Sequence, residues 1–456
     1  IVIGNPPYVG ESGNKEIFRP IAKTGFGKRF YLGKMDLLYF FFHKGIDLTS
    51  DKGEIALITT NYFITATGAK KLRADFKART QIRKFINFDE YKIFESALGQ
   101  HNAITFLTKD RTKPIEMKSC FCNETGIFES GRLSKILEWT DKDSIYSVVP
   151  QDKIYDGEND YIRFNSQSLD SSAIQKMQQC KIKLKDLFLV NQGVVTGCDT
   201  FTKRHLDKMP LTDDVIINDG IYVLDFDNPR DVEIYNNFTL GKSLCRDFYK
   251  NSDIQRYQSS KKATKKIIYF EDALDSSKYP DVFAHLSRFK QLLESRLETY
   301  NEHYHWTAIH RSRVAQIFEG PKVVLPYRAK TNAFAYNEVE WFCRSDAYVV
   351  TPKQKDFSLK ALLGILNSTL YLYWLKKQGK VKGEILELMR EPIEQIPLPM
   401  VDGETLQIIE SYVDDIIVKK ENQESTASQE KALDDIVYSL FSLTTEEISL
   451  VEEAVK

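Results

Sequence analysis

The sequence predicts an α/β protein: the C-terminal half of a doubly wound sheet, followed by an α+β domain and a helical tail. Three observations support this order. Strand-like and helix-like apolar runs alternate over residues 1–110, short apolar runs between turns occupy residues 181–400, and helical periodicity dominates residues 401–456. Residues 111–180 show weak periodicity and are predicted to be a connecting region.

The first 110 residues read as strand, helix, strand, helix, strand, strand, and the last two strands are expected to pair antiparallel. Ile1–Gly4 is predicted to end a buried strand. A chain that begins inside a strand is expected to be a piece of a longer polypeptide. Arg73, on the second helix, is expected to point outward. The predicted elements are Ile1–Gly4, Met35–Leu48, Glu54–Thr60, Gly68–Lys77, Ile82–Phe88 and Ala103–Thr108.

The second domain is predicted to start near Ile182. Ser358 is expected to cap a long helix that runs through Leu375, and a basic, flexible loop is expected over Lys376–Gly383. Thr444 and Glu447 have the spacing of a capping box for the last helix. The remaining predicted elements are the strands Lys266–Phe270, Lys322–Pro326 and Ala347–Thr351 and a helix around Phe283–Glu298.

The composition is that of an ordinary globular chain. Its 456 residues carry a formal net charge of -1, which neither indicates nor excludes a nucleic-acid partner, because phosphate binding depends on local basic surface. Six cysteines without a Cys-x-x-Cys pair argue against a zinc ribbon or a disulfide framework. The cysteine pattern fits a reducing cytoplasm, so a cytoplasmic location is expected. No run of eighteen apolar residues occurs and the first residues lack a basic n-region, so neither a membrane span nor a signal peptide is expected. His303, His305 and His310 lack acidic or cysteine partners, so no metal site is predicted.

Asn5-Pro6-Pro7-Tyr8 directly follows the first apolar run, and it suits methylation of an exocyclic amino group. An amine conjugated to a purine ring is a poor nucleophile because its lone pair is delocalised into the ring. The Asn5 side-chain oxygen and a neighbouring backbone carbonyl can draw both amine hydrogens out of the ring plane. Pro6 and Pro7 hold these acceptors in a stiff turn and offer no competing donor. Tyr8 supplies a flat face for a base.

A second feature is the basic stretch Arg19–Lys34, which contains five basic residues, no acidic one and three glycines. It is predicted to be a mobile, cationic loop. Lys28 and Arg29 are therefore candidates for contacts to DNA phosphates.

The order of motifs resembles the gamma-class adenine-specific DNA methyltransferases that carry a TaqI-like target-recognition domain. This group includes the methylating half of type IIG restriction enzymes. The resemblance covers most of the chain and is weakest between Asp110 and Cys180. The matching segments are NPPY, KMDLLYFFFHKGIDL, KGEIALITTNYF and FINFDEYKIFESALGQHNAITFLTK in the first part, and QGVVTG, GPKVVLPYR, LLGILNSTL and IPLP in the second.

The resemblance implies roles for individual residues. Asn5 and the Pro6 carbonyl would accept the two hydrogens of the target amino group, and Tyr8 would stack on the adenine after it leaves the duplex. Phe94 would close the other side of this slot. Phe41 would border the adenine of S-adenosylmethionine, although a core position in its apolar helix is an equal alternative. His101 and Asn102 would lie beside the same pocket, but a hydrogen-bonded position in a turn is the preferred role for each.

One departure from the family concerns the cofactor. The family's glycine-rich cofactor turn lies upstream of NPPY, and no Gly-x-Gly follows any predicted strand here. If this were the whole polypeptide, it would bind S-adenosylmethionine poorly and would not methylate by itself. The expected partners are therefore double-stranded DNA and an N-terminal cofactor-binding or nuclease portion of the same polypeptide.

The second domain would select the DNA sequence, which requires Arg, Lys, Asn or Gln at base edges and further basic residues on phosphates. Together with the first domain it is expected to surround a DNA cleft. The candidates are Asn191, Gln192, Thr196, Arg311, Arg313, Arg328, Lys330, Lys380 and Lys382.

Three other functions remain open. A protein glutamine methyltransferase could use the same corner, but it would not need a large basic second domain. A DNA-specificity module without activity fits the missing cofactor turn, yet it leaves NPPY without a purpose. A metal-dependent nuclease built on Asp75 and Glu90 would have loose spacing inside the methyltransferase pattern.

Overall fold

The computed structural model describes residues 1–89, 91–94, 101–122, 126–129, 131–157, 159–164, 172–300, 305–354, 358–382 and 384–456; for residues 297–300 it describes the backbone alone. The chain divides into two compact units, Ile1–Gln175 and Lys176–Lys456, which we call the N-terminal and C-terminal units. Helices and strands are mixed in both units, which confirms the predicted α/β fold class.

The N-terminal unit alternates strands and helices in its first 110 residues. Its elements are β1 (Val2–Gly4), α1 (Lys15–Lys23), α2 (Gly25–Phe30), α3 (Leu37–Leu48), β2 (Glu54–Thr60), α4 (Lys70–Arg79), β3 (Gln81–Asp89), β4 (Tyr91–Lys92), β5 (Asn102–Thr108), β6 (Glu116–Cys122), β7 (Gly126–Ile127), α5 (Arg132–Leu137), β8 (Ser144–Pro150), β9 (Tyr155–Asp156) and β10 (Tyr161–Ile162); α6 (Ser172–Gln178) crosses the boundary in sequence.

Within the described residues of this unit, six strands form one mixed sheet in the order β1-β2-β5-β3-β6-β8. Strand β1 is parallel to β2, and β5 lies antiparallel between β2 and β3. The two last predicted strands therefore pair antiparallel, as expected. Strands β6 and β8, from the segment interpreted above as a connecting region, extend the same sheet.

An aromatic core packs helices α3 and α4 against the sheet. The ring of Phe42 on α3 lies 5.0 Å from that of Phe76 on α4, and both contact Phe63. Leu38 and Ile46 complete the buried face of α3. This helix is not buried on all sides, since Phe41 is 45% exposed.

The prediction of a buried first strand is wrong. β1 lies at the edge of the described sheet with β2 as its neighbour, and the side chains of Ile1 and Ile3 are 94% and 80% exposed. Val2 points to the opposite face and contacts the core of the unit. Alternation along the strand therefore buries one face of β1 and leaves the other open.

The basic stretch Arg19–Lys34 is largely helical and not a loop. It contains most of α1 and all of α2. Thr24 caps α2 by accepting a hydrogen bond from the Gly27 N–H at 2.9 Å. Glycine at position 27 lets the two helices approach closely: a Cβ there would lie 1.8 Å from the Ile21 carbonyl oxygen.

The prediction that Arg73 points outward is also wrong, because its side chain is fully buried. Its Nη1 donates to the carbonyl oxygens of Phe63 at 2.8 Å and Ala66 at 2.7 Å, and its Nε donates to Asn159 O at 2.9 Å. The guanidinium also lies over the Tyr161 ring at 4.9 Å. Arg73 thus ties the β9–β10 region to the start of α4.

The C-terminal unit combines small sheets with helices. Its strands are β11 (Ile182–Lys183), β12 (Phe188–Gln192), β13 (Val223–Asp225), β14 (Cys245–Tyr249), β15 (Ile254–Gln255), β16 (Gln258–Ser259), β17 (Lys265–Ile268), β18 (Lys322–Pro326), β19 (Arg328–Ala329), β20 (Ala335–Asn337), β21 (Phe342–Cys343), β22 (Ala347–Pro352), β23 (Val381–Lys382), β24 (Ile385–Glu387) and β25 (Pro397–Leu398). Its helices are α7 (Leu184–Leu187), α8 (Pro229–Asn237), α9 (Pro280–Ser287), α10 (Lys290–Tyr300), α11 (Leu359–Asn367), α12 (Thr369–Gln378), α13 (Arg390–Glu394), α14 (Gly403–Glu421), α15 (Ala427–Leu440) and α16 (Thr445–Glu453).

Two four-stranded sheets form the centre of the described part of this unit, in the orders β12-β22-β18-β20 and β13-β17-β14-β21. A third, β19-β24-β23, carries several of the predicted DNA contacts. The capping box at Thr444 and Glu447 is present and begins α16.

The predicted long helix after Ser358 is interrupted. Ser358 caps α11 as expected, but the backbone becomes extended at Ser368 and α12 then begins. Tertiary hydrogen bonds favour this break, since the side chain of Asn367 bonds the backbone of Phe334, and Asp434 accepts from the Thr369 N–H at 2.6 Å. The predicted loop Lys376–Gly383 is also partly ordered, as the end of α12 and strand β23.

Buried His285 should make the stability of the C-terminal unit depend on pH. Its ring bonds Ile221 O through Nε2 at 2.9 Å, Nδ1 has no partner among the described residues, and burial lowers its pKa to about 4. In the unfolded chain a histidine pKa is about 6.5. Below that pH the unfolded state binds a proton that the folded state excludes, so we expect roughly 3 kcal/mol to be lost between about pH 6.5 and 4.

Urea unfolding at pH 7 and at pH 4.5 measures this loss. The variant His285→Gln keeps a donor for Ile221 O and lacks the titration, so its unfolding free energy should change less between the two pH values. An equal change in both proteins would contradict the assignment.

Candidate active site and DNA-recognition surface

The corner Asn5–Tyr8 lies at one edge of the N-terminal sheet. Strands β1, β2 and β3 run in the same direction, and their carboxyl ends, at Gly4, Thr60 and Asp89, meet at this edge. Open α/β sheets bind their ligands at the carboxyl ends of strands. The corner therefore occupies the position where this fold places a ligand.

Hydrogen bonds define the corner's geometry. The Tyr8 hydroxyl donates to Asn5 Oδ1 at 2.8 Å and lies 3.2 Å from Ile58 O on β2. Burial raises the pKa of Tyr8 to about 12, so the hydroxyl keeps its proton and remains a donor at neutral pH. Asn5 and Pro7 are exposed, Pro6 is buried and Tyr8 is half-buried. Asn5 Oδ1 has a second lone pair for another donor.

Asp36 anchors the chain that follows this corner. Its Oδ1 accepts from the Val9 N–H at 3.2 Å and from the Leu38 N–H at 3.1 Å, and the latter bond caps α3. The Leu37 N–H donates to Val9 O at 2.9 Å. Burial raises the pKa of Asp36. Asp36 was not among the predicted site residues, although an aspartate just before an apolar helix is a recognisable capping signal.

Polar side chains continue along the same edge. His101 Nδ1 lies 3.1 Å from Asp89 Oδ1, and Asn61 Nδ2 donates to Asn87 Oδ1 at 2.9 Å. Asn102 is buried beside Tyr8. The predicted turn role of His101 stays a prediction.

Two aromatic residues were predicted to border ligands. Phe41 is exposed on α3, five residues after the capping Asp36, so the core alternative does not hold for it. Phe94 is half-buried and directly precedes residues 95–100, which lie outside the described residues. Its place opposite Tyr8 stays a prediction.

Lys28 and Arg29 are exposed in the last turn of α2. The Arg29 guanidinium lies 4.6 Å from the centre of the Phe30 ring. Lys71 Nζ donates to the carbonyl oxygens of Arg29 at 3.0 Å and Tyr31 at 2.8 Å, which fixes the end of this helix. Both predicted phosphate contacts are therefore accessible.

In the C-terminal unit the predicted glycine turn is only partly accessible. Asn191 and Gln192 are half-buried on β12, and Gln192 Nε2 donates to Ser345 O at 2.8 Å. Thr196 is 3% exposed, and its hydroxyl donates to Asp199. Its burial argues against the predicted base contact, because a buried hydroxyl with a partner cannot reach DNA.

Arg311 and Arg313 line an open cavity of about 500 Å³ with His305, His310 and acidic residues of the segment 271–272. Arg311 is exposed. Arg313 is half-buried, has a positive φ of 69° and lies 3.4 Å from Gln192 Oε1. Burial lowers the pKa of Arg313.

The remaining predicted DNA contacts surround the third sheet. Lys330 and Lys382 are exposed. Arg328 and Lys380 both form ion pairs with Glu387, at 2.8 Å each. Glu387 was not among the predicted site residues, since nothing in a single sequence indicates that this carboxylate bonds both Arg328 and Lys380.

Neither a metal site nor a membrane span is seen in the described ranges. No group of three or more His, Cys, Asp or Glu side chains there could hold a metal ion. No helix within them combines the length and apolar character needed to cross a membrane.

Two family models match the chain. Residues 1–94 match the Eco57I restriction-modification methylase, and residues 284–398 match the TaqI-like C-terminal specificity domain. These matches confirm two parts of the resemblance stated above, the restriction-modification methylase segment and the TaqI-like specificity domain.

Known proteins similar to the chain include type II methyltransferases. It is 23% identical over 414 residues to M.HincII of Haemophilus influenzae, covering 88% of this chain and 74% of that protein. It is 20% identical over 473 residues to M.BstVI of Geobacillus stearothermophilus, covering 100% of this chain and 75% of that protein.

Among solved structures, the type IIL restriction-modification enzyme MmeI in complex with DNA has a similar fold. The TM-score is 0.60 at 13% identity, and the match covers 99% of this chain and 56% of that one. The chain thus spans little more than half the length of this structural relative, and at this identity the likeness concerns the fold alone.

Proposed function

We propose that this chain is part of an adenine-specific DNA methyltransferase of a restriction-modification system. The enzyme would transfer a methyl group from S-adenosylmethionine to the exocyclic amino group of an adenine rotated out of the duplex. The methylase and specificity matches support the class of enzyme. The observation that carries the choice of an amino group is the exposed Asn5 amide, whose oxygen is oriented by the Tyr8 hydroxyl.

The corner can activate a purine amine. In this proposal Asn5 Oδ1 uses its second lone pair for one amine hydrogen, and the Pro6 carbonyl accepts the other. The nitrogen lone pair then leaves conjugation with the ring. Tyr8 stacks on the base, a contact typically worth about 1–3 kcal/mol. Phe94 closes the slot from the other side.

S-adenosylmethionine supplies an electrophilic methyl group on a positively charged sulfur. Phe41 fits a contact with the adenine of this cofactor, because it is an exposed aromatic residue on a helix anchored beside the corner. Precise placement would do much of the work, since a displacement of about 1 Å can cost on the order of a hundredfold in rate. We propose that an N-terminal portion of the same polypeptide, either cofactor-binding or nuclease, completes the enzyme.

Double-stranded DNA is the proposed partner. Lys28 and Arg29 would contact phosphates, and the C-terminal unit would read the sequence through a set of exposed or half-buried residues. This set keeps the predicted contacts with the exception of Thr196: Asn191, Gln192, Arg311, Arg313, Arg328, Lys330, Lys380 and Lys382.

Methyl transfer from tritiated S-adenosylmethionine tests the proposal. The full-length protein that contains this chain is incubated with duplex DNA, and the DNA is digested to nucleosides. We expect label in N6-methyl-2'-deoxyadenosine. Label in cytosine, or no label in adenine, would refute the proposed function. DNA binding without any transfer would instead support the alternative of a specificity module.

A further inference from the structure

Glu387 is a buried carboxylate that holds two cations in the C-terminal unit, the exposed Arg328 and the half-buried Lys380. Its side chain is 6% exposed, whereas that of Arg328 is 54% exposed. Glu387 Oε1 accepts from Arg328 Nη2 at 2.8 Å and from Nε at 3.2 Å, and Oε2 accepts from Lys380 Nζ at 2.8 Å. Burial alone would raise the pKa of Glu387, but the bonds from Lys380 and Arg328 hold it below its usual value.

The backbone around Arg328 is fixed as well. Arg328 on β19 and Glu387 on β24 are directly paired residues of the two neighbouring strands. Their Cα atoms therefore lie side by side in the sheet. The Arg328 N–H donates to Asn251 Oδ1 at 3.3 Å, and the Leu388 N–H donates to Tyr327 O at 2.8 Å. The guanidinium lies 5.0 Å from the centre of the Tyr327 ring.

These contacts leave a defined edge of the guanidinium for a ligand. Glu387 occupies the side formed by Nε and Nη2, and its bonds do not use Nη1. The terminal edge, formed by Nη1 and the second hydrogen of Nη2, is the fork that matches two neighbouring acceptors. Two cations and one carboxylate give the cluster a net charge of about +1, which suits a DNA surface.

We propose that Arg328 reads a guanine by donating to its O6 and N7 in the major groove, and that Glu387 is the positioning residue that orients the fork. This inference rests on the proposed DNA-methylating function. Guanine is preferred because Arg328 and Glu387 both lie within residues 284–398, the match to a TaqI-like specificity domain, and sequence is read at base edges rather than at phosphates. A phosphate can also accept from such a fork, so the test separates the two ligands.

The test compares variants of the full-length protein. The recognised sequence is first obtained by mapping methylated adenines, and the affinity for duplexes with each base pair changed singly is then measured by fluorescence anisotropy. Arg328→Lys keeps the positive charge and loses the planar fork. Glu387→Gln keeps the side-chain volume and weakens the hydrogen bonds that hold Arg328. Lys330→Met is the control, because it removes a neighbouring exposed charge. Melting temperatures confirm that all three variants fold.

We expect Arg328→Lys to weaken binding about 10- to 100-fold at the recognised site and to relax selectivity at one guanine position. Replacing that guanine by 7-deazaguanine, which lacks the N7 acceptor, should weaken the wild-type protein and have little further effect on Arg328→Lys. Glu387→Gln should relax selectivity at the same position. Lys330→Met should weaken binding to all DNA sequences by the same factor.

Three results would overturn the inference. The first is a recognised site without guanine, and the second is unchanged base selectivity in Arg328→Lys. The third is that Arg328→Lys binds all sequences more weakly by the same factor, with a salt dependence of the affinity that has fallen by the equivalent of about one phosphate contact. The last would identify Arg328 as a phosphate ligand. Each of these results is compatible with normal adenine methylation, whereas the absence of methylation in the wild-type protein refutes the proposed function itself.

Discussion

Replacing Asn5 by alanine should lower the rate of methyl transfer by about a hundredfold to a thousandfold and leave DNA affinity nearly unchanged. The Asn5 oxygen would bond an amine whose charge changes during the reaction, so the bond would be strongest in the transition state. The single-turnover rate with a saturating methyl donor measures the effect. Fluorescence anisotropy measures DNA binding, and 2-aminopurine at the target position reports base rotation.

Tyr8→Phe is the comparison variant for Asn5→Ala, and it should lower the rate of methyl transfer less. It keeps the aromatic face and removes the hydroxyl that bonds Asn5 Oδ1 at 2.8 Å. A single hydrogen bond is worth about 1 kcal/mol, so we expect a loss of roughly fivefold in rate with an unchanged 2-aminopurine signal. If Asn5→Ala instead abolished DNA binding or lowered the melting temperature strongly, Asn5 would be structural and the proposed chemistry would fail.

Replacing Arg73 by methionine should destabilise the N-terminal unit by about 3–5 kcal/mol. The substitution keeps an unbranched side chain of similar length but removes the donors to Phe63 O, Ala66 O and Asn159 O. Buried carbonyl groups without a donor cost far more than exposed ones. Urea unfolding followed by circular dichroism measures the loss.

Arg83→Met is the matched control for Arg73→Met. Arg83 lies on β3 and pairs with Glu54, and both side chains are largely exposed, at 59% and 44%. A pair of this kind typically contributes less than about 1 kcal/mol. Equal destabilisation by the two substitutions would contradict the anchoring role assigned to Arg73.

The sequence predicted strands β2, β3 and β5 of the central sheet because each is an apolar run with a recognisable local pattern. Strands β6 and β8 fell in the predicted connecting region, and β1 was wrongly expected to be buried. Ile82–Phe88 and Ala103–Thr108 both became strands within a few residues of the predicted limits. Arg73 was misjudged for the opposite reason. Its environment depends on carbonyl groups at Phe63 and Asn159, and no helical periodicity encodes their approach.

Helix boundaries in the other regions depended on tertiary contacts too. The break at Ser368 follows from bonds to Phe334 and Asp434, which lie far away in sequence. Glycines suggested a loop near Gly27, where the structure uses glycine to bring two helices together.

The sequence predicted the motif of the candidate site, and the structure adds the residues that hold this motif in place. Asn5 and Tyr8 were identified from residue type, whereas Asp36 and Glu387 were not, because each also bonds a partner far away in sequence, Val9 for Asp36 and Arg328 for Glu387. Thr196 illustrates the reverse error, since its residue type suits base contacts and its burial does not. Roles of the remaining DNA contacts and of Phe94 and Phe41 stay predictions.

The carboxylate of Asp36 has a consequence for how this protein can vary. One oxygen atom holds both the backbone after the proposed acceptor corner and the first turn of the helix that carries Phe41. Under the proposed function, methyl acceptor and methyl donor are therefore aligned through a shared support. A substitution that tilts this helix would disturb the affinities for both substrates together, so selection on either one also constrains the other.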